Sequence, residues 1–157
     1  MNDENNSVEK VRIYNERLKE LYEEIGEWVR DHNLFTNLET VKRTERLSGE
    51  YETFQLTIKD QNGILIAKMK PFAIWIIGAE GRVDLIGNSG VEKIVYLSKG
   101  GPSISTTIST GCGIVDQHEQ KIFGDKEEGW HWVDHIVIGK QPKLDKDIFL
   151  KLLEVVN

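Results

Sequence analysis

A chain of 157 residues with a formal net charge of −6 and a pI near 5.3 can form one domain that buries roughly two-thirds of its unfolded surface. The acidic balance argues against nucleic acid as the main partner, because such binders need a concentrated basic face. Cys112 is the sole cysteine, which excludes an internal disulfide and suits a reducing compartment.

The polar, acidic start MNDENNSVEK is unlike a signal peptide. The longest apolar run, about Ala73–Ile77, falls far short of a membrane span. A cytoplasmic location is therefore expected. Residues 1–6 read as a disordered polar tail, with Asn6 or Ser7 capping a helix and Glu9 completing the cap of Asn6. From there Val11, Tyr14, Leu18, Leu21, Ile25 and Trp28 recur at alternating steps of three and four. That spacing lays one apolar stripe along a helix ending near His32-Asn33. The stripe suits packing across the domain's own sheet, and a 3-4 repeat also permits self-association through this helix. Gly26 marks a bend or a close contact.

Leu34–Ser48 has no clear pattern. Tyr51–Asp60 alternates as a strand, with Phe54, Leu56 and Ile58 on one face and Thr53, Gln55 and Thr57 on the other. Gln61-Asn62-Gly63 signals a hairpin into a strand Ile64–Lys70, which Pro71 should end because it cannot donate to a ladder. Phe72–Ile77 is apolar throughout and reads as a central strand. Ala79-Glu80-Gly81 and Gly87-Asn88-Ser89-Gly90 are turns flanking strands Arg82–Ile86 and Glu92–Ser98. Lys99–Gly113 is rich in Gly, Ser and Thr, with Ile104 and Ile108 fitting a strand within it. Ile114–Gln120 and Trp130–Ile138 are further strands. Leu144-Asp145 opens a final helix, with Asp145 as cap, Leu144 stapled to Phe149, and Ile148, Phe149, Leu152, Leu153 and Val156 as its stripe. The sum is a single α+β domain over 1–157. A curved antiparallel meander of about six to eight strands packs with a long N-terminal helix and a short C-terminal one.

Candidate chemistry is sparse. His131 and His135 would sit at metal-pair spacing on a helix, but Trp130, Trp132 and Val133 favour a strand. There the two imidazoles lie roughly 13 Å apart at the backbone, so no metal site is expected. Trp130, His131, Trp132 and His135, with Arg82, form a candidate ligand-binding set. Asp134, flanked by large apolar groups, is a candidate general acid or base. Asp116 and His118 share a strand face and could form a carboxylate–imidazole pair, with Cys112 as a nearby thiol. Each has a blander and commoner reading as a structural or solvated residue. The glycines at Lys99–Ser103 lack the spacing of a phosphate loop. Lys68, Lys70, Arg82, Asp84 and Lys93 gather on one face if the register allows, making a modest anion-binding surface.

No cofactor is implied. With no assembled catalytic motif, the reading is a non-enzymatic binding module, an acidic inhibitor or immunity-type protein that neutralises a protein partner through complementary charge. The alternative is a small hydrolase acting on an anionic metabolite through a His/Asp pair. Neither nucleic acid nor membrane is expected as a partner.

Overall fold

A computed structural model describes residues 2–98, 103–109, 115–121, 127–134 and 141–157, with side chains over 4–98, 127–134 and 141–157. Helix α1 (Asn2–Arg30) leads into strands β1 (Phe35–Glu45), β2 (Gly49–Lys59), β3 (Leu65–Ala73), β4 (Arg82–Ile86) and β5 (Val91–Leu97). After them come β6 (Ser103–Ser109), β7 (Val115–Lys121), β8 (Gly129–Trp132) and helix α2 (Lys146–Val155). Six strands form one antiparallel sheet in the order β1-β2-β3-β4-β5-β8, while β6 and β7 pair separately as a hairpin. The architecture is α+β. Strand β5 pairs with β8 although residues 98–128 lie between Leu97 and Gly129.

Helix α1 is held by its stripe. Tyr14, Leu18, Leu21, Ile25 and Val29 are buried, with Tyr22 beside them, and all join one core with Leu56, Met69, Leu85 and Ile94 from the sheet. The stripe is therefore used inside the domain. On the wet side Arg12 bridges Glu9 and Glu16 at helical spacing. The helix begins at Asn2, ahead of the capping residues read from the sequence. Acidic Glu4 suits its positive N-terminal end, and Ser7 Oγ donates to the Leu47 carbonyl instead of capping. At the other end Asn33 takes a left-handed φ of 57° and Leu34 N–H returns to the Val29 carbonyl, closing the last turn. Gly26 is a close contact: a Cβ there would lie 3.3 Å from Thr36 Oγ1.

The β2–β3 hairpin turns where Asn-Gly predicted it. Asp60 Oδ1 accepts from Asn62 N–H and Ile64 N–H, and Gly63 has a φ of 79°. Cross-strand partners share a face, so Leu56, Met69, Leu85 and Glu92 form one row toward the helices. Three parts of the sheet differ from expectation. Phe35–Glu45, unpatterned in sequence, is an eleven-residue strand paired with β2 along its whole length. Strand β3 runs through Pro71, which pairs with Val83. The β2–β3 register stops at Leu56 and Met69, so no β2 acceptor awaits the missing N–H. Finally, Phe72–Ile77 is not a central strand. The ladder ends at Ala73, the N–H groups of Ile74 and Trp75 donate to the Glu45 carboxylate, and Ile77 is 96% exposed.

Helix α2 starts as predicted: Asp145 accepts from Ile148 N–H at 2.8 Å. Phe149, Leu152, Leu153 and Val156 are buried, and Phe149 meets Trp28 of α1 with ring centroids 5.8 Å apart. Its C-terminal end docks on the β4–β5 turn, where Ser89 N–H donates to the Val156 carbonyl at 2.7 Å.

Candidate functional site

Strand β8 carries most of the predicted ligand-binding residues and divides them between the faces of the sheet. Trp130 lies toward α1, edge-on to Tyr96 at 5.3 Å, and its indole N–H donates to the Arg17 carbonyl at 3.3 Å. The Trp132 indole donates to Glu92 Oε2 at 2.8 Å. His131 points to the opposite face, 2% exposed, with Nε2 at 2.7 Å from the Glu127 carbonyl and Nδ1 at 3.1 Å from the Gln141 carbonyl. Both ring nitrogens are thus turned to backbone oxygens, and neither offers a lone pair to an ion or a substrate. Asp134, two residues past β8, also has interactions of its own. His135 and Cys112 lie outside the described residues.

Arg82 shares a row with Val95 and His131 across β4, β5 and β8. Its guanidinium forks onto Asp84 at 2.8 and 3.0 Å and stacks 3.7 Å from the Phe72 ring centroid. The register does bring Lys68, Lys70, Asp84 and Lys93 onto the Arg82 face, with Lys70 opposite Asp84 and Asp84 opposite Lys93. Asp116 and His118 sit on β7, opposite Ile108 and Thr106 of β6, two residues apart and so on one face. That hairpin belongs to a different sheet from Asp134's neighbour β8. Among the described residues no group of three or more His, Cys, Asp or Glu side chains could hold a metal ion.

A cleft that sequence reasoning missed lies between the start of α1 and the tip of the β1–β2 hairpin. It has a volume of about 410 Å³, and its lining includes Val8, Val11, Leu47 and Tyr51 together with Glu4 and Glu50. Val8 is 70% exposed and Leu47 63% exposed, so two large apolar side chains stand in solvent beside carboxylates. Two of the cleft's lining residues, Ser48 and Tyr51, are hydrogen-bonded to side chains behind them. Glu45 accepts from the Tyr51 hydroxyl and from Ile74 and Trp75 N–H, the Trp75 indole donates to Ser48, and Lys10 Nζ lies 4.3 Å over the Trp75 ring. Burial, reinforced by the Glu45 hydrogen bond, pushes the Tyr51 phenol well above its usual range. Val8, one step ahead of Val11 at helical spacing, was the available signal. The hairpin that faces it was invisible because β1 was not legible.

The arrangement defines the chain as an α+β protein with an antiparallel sheet covered by two helices. No protein-family model, curated protein or solved structure matches it.

Proposed function

We propose that this protein is a binding module that engages a basic protein partner through the α1–hairpin cleft. The observation that carries the reading is the pair of exposed apolar residues, Val8 and Leu47, beside Glu4 and Glu50 on a chain of net charge −6. Exposed apolar surface rimmed by polar groups is what an interface needs before its partner arrives. The carboxylates select an apolar anchor flanked by Lys or Arg, and the overall acidity accelerates the encounter. A neutralising, inhibitor-like role follows if the covered partner surface is itself functional.

The test is affinity purification from the producing cells with wild type and with the doubly substituted Val8→Glu/Leu47→Glu protein. Both side chains are solvent-exposed, so the variant should keep its fold by circular dichroism. A basic protein held stoichiometrically by wild type, and at least about tenfold more weakly by the variant, is expected. No stoichiometric partner, or a partner held equally by both, would overturn the reading.

A further inference from the structure

The two edges of the main sheet are treated differently by the chain. Beyond β8 the chain supplies its own cover: Trp132 N–H donates to the Pro142 carbonyl at 3.0 Å, Leu144 N–H to the Trp130 carbonyl at 2.8 Å, and His131 bridges Lys143. Strand β1 has no such cover among the described residues. Among the described residues its backbone makes no backbone hydrogen bond outside its pairing with β2, and none of its eleven side chains is buried. An edge of that length is about twice the usual strand. Protein sheets commonly guard such edges with charge, and β1 carries Glu39, Lys42, Arg43 and Glu45. Charges that repel an arbitrary strand can still match one partner in one register.

We propose that β1 pairs antiparallel with β1 of a second copy, about a twofold axis through Val41, fusing two sheets into one. The register follows from the backbone and the sequence. Outward-pointing N–H and C=O groups alternate along an edge strand, so a residue can only face one of its own parity. The twofold axis must then pass through a residue. Centred on Glu39, Lys42 or Arg43 it sets a charge against its own copy, and centred on Thr40 it leaves every charge without an opposite. Centred on Val41 it places Glu39 across from Arg43 of the other copy, twice by symmetry. Asn37 then faces Glu45 at each end. Val41, Glu39 and Arg43 are all half-buried rather than fully wet, so added cover at this edge has apolar as well as ionic surface to gain. The α1 stripe, already inside the core, is not the seam. The seam stops at Glu45, short of Leu47 at the hairpin tip, and the residues that test it, Glu39, Val41 and Arg43, do not line the Val8–Leu47 cleft, so this inference and the binding reading are tested separately.

The experiment uses the full chain with Cys112→Ser as background. Residues directly opposed in such a pair have Cα atoms roughly 4.5–5.5 Å apart, within disulfide reach. Val41→Cys should therefore give a covalent dimer on mild oxidation. Thr44→Cys, whose two copies would lie roughly 20 Å apart, should not. In sedimentation the otherwise unmodified chain should dimerise, Glu39→Arg should weaken the dimer about tenfold, and Glu39→Arg with Arg43→Glu should restore it. Circular dichroism confirms the fold of each variant. A monomer at millimolar concentration, or Thr44→Cys linking as readily as Val41→Cys, would overturn the proposal.

Discussion

The carboxylate of Glu45 takes the place of a piece of sheet. Where the β3 ladder ends, it receives the N–H groups of Ile74 and Trp75 together with the Tyr51 hydroxyl. Removing it by Glu45→Ala strands three donors and should cost about 2–3 kcal/mol in urea unfolding. Thr53 is the opposite case. It is fully buried, and among the described residues its hydroxyl has no hydrogen-bond partner. Thr53→Val keeps the shape and removes the orphan group, so the same measurement should show no loss, or a gain of up to about 1 kcal/mol. Neither role was legible in the sequence. Glu45 meets partners 29 and 30 residues away, and alternation placed Thr53 on the polar face of its strand. Residue type likewise suggested ligand binding at His131 and Arg82 but not their partners within the fold, the Glu127 and Gln141 carbonyls and the Asp84 carboxylate.

Elements governed by short-range rules were read well. The stripe of α1, the Asn62-Gly63 turn, the strand Arg82–Ile86, the strand read as Glu92–Ser98 and found at Val91–Leu97, and the Asp145 cap depend on residues a few positions apart. Those that failed depend on the sheet as a whole. Strand β1 is mostly polar because it is an edge and need not be half apolar. Pro71 is tolerated because β2 has already diverged. Among the described glycines the tightest contact is at Gly87, where an added Cβ would come within 2.4 Å of the Val156 carbonyl oxygen. Gly87→Ala must push the end of α2 off the β4–β5 turn, breaking the bond from Ser89 N–H. It should lower stability by about 1–3 kcal/mol, as overpacking does. Gly49→Ala, with nothing within 4 Å, provides a control limited to the strain of its φ of 68°. Thermal melts of the two variants would separate collision from strain.

For the molecule as a whole, the buried tyrosines set a limit on alkaline tolerance. Burial raises the Tyr14 and Tyr22 phenols well above their usual range, while their hydroxyls donate to the Arg82 and Phe54 carbonyls. In the unfolded chain both would lose protons near pH 10. The folded state therefore keeps the proton longer, and this contribution is complete below about pH 10 and declines as pH rises beyond it. Tyrosinate absorbance should show these two phenols ionising together with the loss of helical circular dichroism. A smooth titration of all four tyrosines with the fold intact would contradict the burial described. Global acidity was legible from composition alone. The placement of that acidity beside exposed Val8 and Leu47 was not, since it needs the hairpin tip and the first turns of α1 brought together.

The join between β5 and β8 also has a kinetic side. The β4–β5 turn closes over Gly87–Gly90, whereas β8 reaches β5 only after residues 98–128 have been looped out. Closing the longer loop costs roughly 2 kcal/mol more in chain entropy. The first five strands can therefore zip in succession, leaving the strand that carries Trp130, His131 and Trp132 to arrive late in folding and to open early in native-state breathing.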